Sequence, residues 1–292
     1  MSAQSQALAK AEVLSQALPW LLKFKDAILV IKFGGNAMIE KELFESFAQD
    51  ITFLKLSGIH PVVIHGGGPQ ISLALKNAGI ETRFIKGLRY TDEKSIQIIR
   101  RILVDEIQAD IVSEINKIHD CAVGISGDDL NLLHGEKITN IDGLNVELGL
   151  VGEVTKVEPK AIFEAISAGK VPVISTLARD KMGQVLNINA DFAASAIASA
   201  VEAKKMIILT DVIGLMSNYP DPESLISFIN ARDLSGLLPK LDEGMKPKMQ
   251  ACLSAVQNGV SRAHVIDGRI AHGLMVEIFT DQGAGTMVVN DE

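Results

Sequence analysis

The sequence predicts an α/β protein: a mostly parallel β-sheet sandwiched between layers of helices, an αβα arrangement. Two observations carry this. Short, continuous apolar runs recur at 28–31 (ILVI), 61–64 (PVVI), 171–174 (VPVI), 206–209 (MIIL), 264–266 (HVI) and 277–279 (EIF). Most are too short for helices and too continuous for a one-sided sheet, so they read as strands covered on both faces. Helical patterns fill the intervals at 42–56, 69–78, 94–118, 161–167, 190–203 and 246–258. Alternation of strand and helix makes the sheet mostly parallel.

The first 26 residues stand outside this alternation. Ala7, Ala11, Leu14, Leu18 and Leu21 form one apolar stripe at helical spacing, and Pro19 is expected to interrupt or kink that helix. Such a helix either caps the domain or pairs with another subunit. Further along, ELGLVGEVTKVE (147–158) alternates around a central glycine and reads as a β-hairpin. SNYPDPES (217–224) is turn chemistry at the surface. No internal repeat or low-complexity tract interrupts the series.

Composition excludes several classes. Hydrophobic residues make up 47% of the 292, ample for a well-buried core. Lysines and arginines number 28 against 36 acids, a formal charge of −8 without a basic tract, which argues against nucleic-acid binding. Cys121 and Cys252 lie far apart in no paired motif, so neither a disulfide framework nor a thiolate metal site is expected. No apolar run is long enough to indicate a membrane span, and the N-terminus lacks the pattern of a targeting peptide. A cytoplasmic location is the default expectation.

In open parallel sheets ligands bind beyond the carboxyl ends of strands. Two glycine turns lie at such ends: Gly34-Gly35 after ILVIKF, and Gly66-Gly67-Gly68 after PVVIH. Pro69 suits the first turn of a helix, so 65–69 reads as a strand-to-helix turn whose bare amides favour an anion. A tight turn packing helix on strand is the plainer reading. Lys32 either snorkels past the sheet edge or meets a phosphate. Lys246 and Lys248 bracket Pro247 at a helix start, as cleft cations or as a solvated pair. Asp191, in NINADFAAS (187–195), is a first-turn acid complementing the helix dipole or a group that holds cations. LTDVIG (209–214) ends another strand in Thr210-Asp211. The dinucleotide pattern GxGxxG fails at Ile71, and no GK[ST], HExxH or paired-cysteine motif occurs. Two lysines and glycine amides can neutralise a transferring phosphoryl group, and an aspartate between the lysines can hold both.

Seven motifs carry a resemblance: KFGGNAM (32–38), HGGGPQI (65–71), KGLRYTD (86–92), LNINAD (186–191), LTDVIG (209–214), GMKPK (244–248) and EIFTDQGAGTM (277–287). In this order, over residues 27–289, they resemble the amino acid kinase family, and within it the branch acting on N-acetyl-L-glutamate. The resemblance implies a two-lobed αβα sandwich, with 27–180 holding the amino acid, 181–292 holding ATP and 1–26 an oligomerisation or regulatory helix. It also implies transfer of the γ-phosphoryl of MgATP to the side-chain carboxylate of N-acetyl-L-glutamate. The products are N-acetylglutamyl 5-phosphate and ADP, an early step of arginine biosynthesis, with no dedicated protein ligand for the metal.

The same resemblance assigns residues. Lys32 and Lys248 match the two transition-state lysines, and Asp191 matches the aspartate that orients them. Gly67, Gly68, Arg89 and Asn187 match substrate-binding positions, with Arg89 gripping a carboxylate. Gly34, Gly35, Asp211, Gly214, Met216, Gly244 and Met245 fall where ATP sits. A carboxylate nucleophile is already ionised at neutral pH and needs no general base, so His65 reads as structural.

The N-terminal extension and the EIFT ending resemble arginine-inhibited hexamers, trimers of dimers linked by their N-terminal helices. Arginine is then expected near His272, Glu277 and Gly283, with Glu277 taking the guanidinium. A nitrogen-signalling regulatory protein is a further partner of such assemblies. Departures from the family pattern fall at SGDDLNLL (126–133), STLARDKMG (175–183), Trp20 and Tyr90. The alternatives are another amino acid kinase, acting on aspartate, glutamate, carbamate, UMP or an aminoadipate derivative, and a non-catalytic arginine sensor.

Overall fold

The computed structural model describes residues 3–141 and 143–291. Helices α1 (Ala3–Gln16) and α2 (Leu18–Phe24) open the chain, parted at Ala17. Pro19 occupies the first turn of α2, where its missing N–H is no loss. Leu14, Leu18 and Leu22 stay exposed on this pair, while Phe24 is buried.

The next units are β1 (Ile28–Phe33), α3 (Lys41–Leu56), β2 (His60–His65) and α4 (Gly68–Asn77). A short hairpin, β3 (Phe84–Ile85) and β4 (Leu88–Arg89), leads into α5 (Glu93–Arg101), a π-helical turn (Ile102–Gln108) and α6 (Ala109–Ile118). Then come β5 (Ala122–Ser126), β6 (Leu133–Lys137), the small pair β7 (Asn140–Ile141) and β8 (Leu144–Asn145), and β9 (Val151–Val157). Helix α7 (Lys160–Ser167) precedes β10 (Val171–Ser175), β11 (Leu177–Arg179) and β12 (Val185–Ile188). The second half runs α8 (Ala190–Ala200), β13 (Lys205–Thr210), β14 (Phe228–Asn230) and α9 (Ala231–Leu237). It closes with α10 (Lys246–Gln257), β15 (Ala263–Asp267), α11 (Gly273–Phe279) and β16 (Gly285–Val289).

Eight strands form one sheet in the order β14-β16-β15-β13-β1-β2-β10-β5. Every pair is parallel except β15 with β16. Strands β13 and β10 are buried at every residue, as expected of a sheet covered by helices on both sides. Helices α8 and α10 pack together, as do α3 and α6. Strands β11, β12, β9 and β6 close into a small four-stranded barrel beside the sheet. The expected α/β class holds, with five of the six apolar runs lying in strands.

Two expected elements are different. EIF (277–279) is the end of helix α11, not a strand: Leu274 and Ile278, one turn apart, face the core, and the edge strand is β16. Residues 147–158 are no hairpin either. Gly149 turns in the left-handed region (φ 68°), and β9 then pairs antiparallel with β6 and parallel with β12. Alternation within 147–158 gave the period of a strand but not its partner. The expected helix at 94–118 is continuous, but a π turn lies inside it.

The divergent stretches 126–133 and 175–183 meet each other. Asp128 is buried, and its carboxylate takes Arg100 Nε at 3.2 Å and Arg179 Nη2 at 3.3 Å, while its carbonyl accepts from Arg179 Nε at 2.7 Å. The acid gained in one segment is neutralised by an arginine of the other.

Candidate active site

Three charged groups converge where the sheet's carboxyl ends meet helix N-termini. Lys32 is the penultimate residue of β1, Asp191 lies in the first turn of α8, and Lys248 in the first turn of α10. Lys32 Nζ pairs with Asp191 Oδ1 at 3.2 Å, and Lys248 Nζ donates to Asp191 Oδ2 at 3.2 Å. Asn189 caps α8 by accepting from the amides of Asp191 and Phe192, which fixes the acid's backbone. Burial opposes charge on Asp191, yet the two ammonium groups outweigh it and hold its pKa below the usual carboxylate range. Lys248 spends one of its three donors on the acid, whereas Lys32 faces it as an ion pair.

Two clefts adjoin this cluster, and Lys248 lines both. The first, about 350 Å³, is walled by Lys32, both glycine turns, Arg89, Asn187 and Asp191. A Cβ on Gly34 would lie 2.9 Å from Lys32 Nζ and would push on that ammonium. Gly35 adopts φ 74°, and a Cβ there would lie 2.6 Å from Asp211 Oδ1. At Gly67 a Cβ would overlap Ile107 Cδ1, from the π turn. A Cβ on Gly68 would meet nothing within 4 Å.

Arg89 is buried, and burial lowers its pKa. Nη2 donates to Gly68 O and to Ser72 Oγ, both at 2.9 Å. Among the described residues no carboxylate pairs with it, so a buried guanidinium faces the cleft with its charge uncompensated. Asn187 Nδ2 donates to Thr91 Oγ1 at 3.2 Å, and that hydroxyl donates to Arg89 O. His65 is fully buried beside this loop, its Nδ1 donating to Gly66 O at 3.1 Å, and desolvation lowers its pKa to about 4.

The second cleft, about 380 Å³, is lined by Val212, Gly214, Leu215, Met216, Leu241 and Met245, with Tyr219 among its exposed lining residues. Gly214 (φ 147°) leaves no room for a Cβ beside Thr286 Oγ1 and Leu225. Asp242 Oδ1 accepts from the amides of Gly244 and Met245 and so shapes the start of α10. An apolar slot opening at a lysine suits a planar base carrying phosphates.

The residues expected around arginine separate. Glu277 and Gly283 are neighbours, since a Cβ on Gly283 would lie 3.0 Å from Glu277 Oε2. Glu277 is buried, and Oε1 accepts from Lys205 Nζ at 2.8 Å and His264 Nδ1 at 2.7 Å, while Oε2 accepts from Ala284 N at 3.0 Å. Burial opposes its charge, but these partners hold the pKa down at about 2. His272 instead tops α11 in a left-handed conformation (φ 58°), tied to α3 through Asp50 Oδ1 and Ser46 Oγ, both at 2.7 Å.

Residues 27–267 match the model of the amino acid kinase family. The chain belongs to that family. An acetylglutamate kinase of Nocardia farcinica is 51% identical, covering 97% of this chain and 93% of the relative. One of Saccharopolyspora erythraea is 49% identical, covering 98% and 94%. Among solved structures, an N-acetylglutamate synthase from Neisseria gonorrhoeae superposes with a TM-score of 0.84 at 23% identity, covering 97% of this chain and 64% of the synthase. Carbamate kinase from Giardia lamblia gives 0.66 at 17% identity, covering 91% and 99%. At such identities these two show the amino acid kinase fold alone.

Sequence reasoning missed several groups in this family member. Leu103 lines the first cleft from the π turn, and Tyr219 and Leu241 line the second. A tyrosine among turn residues was the one available signal at 219. Lys205 and His264 were hidden as ends of apolar runs, although a charged or imidazole group inside a buried strand always needs a partner. Among the described residues no group of three or more His, Cys, Asp or Glu side chains is arranged to hold a metal, and no helix is long and apolar enough to cross a membrane.

Proposed function

We propose that this protein is an acetylglutamate kinase, moving the γ-phosphoryl of MgATP onto the side-chain carboxylate of N-acetyl-L-glutamate. The carrying observation is Asp191 between two lysines at 3.2 Å each, at the junction of a cationic cleft and an apolar one. Near 50% identity to relatives of that name, over almost the whole chain, supports the substrate. Arg89 and Asn187 hold the substrate's α-carboxylate and amide, and the amides of Gly67 and Gly68 line its path. Lys32 and Lys248 spread the charge that builds between two anions approaching each other, and Asp191 keeps both amines in place. ATP lies with its base against Met216 and Met245 and its phosphates toward Gly34, Gly35 and Lys248, with Asp211, Gly214 and Gly244 shaping the slot. Magnesium arrives with the nucleotide. The 27–180 lobe then serves mainly the acceptor and the 181–292 lobe mainly the nucleotide, with Asn187 and Gly34-Gly35 reaching across, in a cytoplasmic step of arginine synthesis.

We also propose feedback inhibition by arginine in a hexamer built through residues 1–26. Support comes from Glu277, whose Oε2 takes a single amide and keeps capacity for a guanidinium, and from the exposed leucines of α1 and α2. Gly283 flanks that oxygen, and His272 secures the start of the same helix. A nitrogen-signalling protein would act on this assembly.

Incubation with MgATP, hydroxylamine and a panel of acids tests the activity. Hydroxamate is expected with N-acetyl-L-glutamate; product only with aspartate, glutamate or an aminoadipate derivative would reassign the acceptor, and no product would leave a binding protein. The same assay is expected to slow as arginine rises into the millimolar range.

A further inference from the structure

The π turn (Ile102–Gln108) interrupts a helix that otherwise needs no break, and such turns gather at functional sites. Widening one turn brings residues i, i+4 and i+5 toward one face. Here these are Leu103, Ile107 and Gln108, all buried. Leu103 and Ile107 press on Gly67: a Cβ there would overlap Ile107 and lie 3.1 Å from Leu103 Cδ2. Gln108 faces the sheet, and its Nε2 donates to Ile125 O on β5 and Val173 O on β10, each at 2.9 Å. Gly124, in the middle of β5, is bare beneath it, since a Cβ would lie 3.0 Å from the Gln108 amide carbon and oxygen.

We propose that Gln108 is a positioning residue for the glycine loop. By pinning the π turn to two strands it holds Leu103 and Ile107 beneath Gly67, and so sets where the Gly67 and Gly68 amides meet the acceptor. This rests on the assignment of that cleft to the acceptor. Gln108 contacts neither substrate; its effect passes through the loop.

Gln108→Met keeps the length and removes both donors, and Gly124→Ala pushes on the same amide from below. The KM for N-acetyl-L-glutamate is expected to rise about fivefold or more in either variant, because the loop amides no longer rest where the acceptor meets them. The KM for ATP should stay within about twofold, because the nucleotide slot is built from other elements. Amide exchange at 66–71 should accelerate in both variants. Gln108→Ala combined with Gly124→Ala should be no worse than either alone, since the added methyl enters vacated space. An unchanged acceptor KM in both single variants, or acceptor and ATP KM rising together, would overturn the role. If the wild-type protein forms no hydroxamate with any acid, the acceptor assignment fails, whereas the exchange data still judge whether Gln108 pins the loop. Unaltered exchange at 66–71 overturns the pinning.

Discussion

Asp191 and Glu277 are both buried carboxylates set between two basic side chains, and they differ in where bonding capacity is left over. At Asp191 each oxygen faces one lysine at 3.2 Å, and both lysines also line the first cleft, Lys248 the second as well. At Glu277 both basic groups converge on one oxygen at 2.7–2.8 Å, and the spare capacity lies on the acid. The first arrangement carries two ammonium groups against one carboxylate and is left with a positive charge that an anion can meet; the second balances one carboxylate against Lys205, with burial keeping His264 toward its neutral form.

The comparison breaks most visibly at Glu277. Glu277→Ala leaves Lys205 buried with no acid, which should lower stability by about 3–5 kcal/mol in urea denaturation. A loss below about 1 kcal/mol would mean that water or another acid replaces the carboxylate.

A buried basic group with no acid sharpens the contrast. His65 has a pKa near 4 in the folded protein against 6.5 for the free side chain, because burial disfavours its charged form. Between those values the unfolded chain binds a proton that the folded one refuses, so stability rises with pH and falls on acidification from 6.5 toward 4. The full window is worth up to roughly 3 kcal/mol. The drop in melting temperature between pH 7 and pH 5 should be smaller in His65→Gln than in the wild type; equal drops would show that His65 does not refuse the proton.

Much of this was legible in the sequence, and the gaps have physical causes. Lys32, Asp191 and Lys248 stand at strand ends and helix starts, where chain direction alone brings side chains to one edge of a parallel sheet. Residues 32, 191 and 248 are far apart along the chain, so only the ordered motifs joined them. The π turn left no trace because its apolar spacing fits the continuous helix expected at 94–118. EIF misled because three residues carry no period, and the burial of Glu277 depends on Lys205 and His264 in other strands. Gly67 showed only as a cleft glycine, because its packing partner lies 40 residues further on, at Ile107.

The paired lysines face their most direct test in turnover. Lys32→Ala and Lys248→Ala, each checked for native circular dichroism, should lose a factor on the order of 10² or more in kcat for hydroxamate formation from N-acetyl-L-glutamate. Turnover near the wild-type rate in both variants would contradict a phosphoryl transfer carried by this cluster.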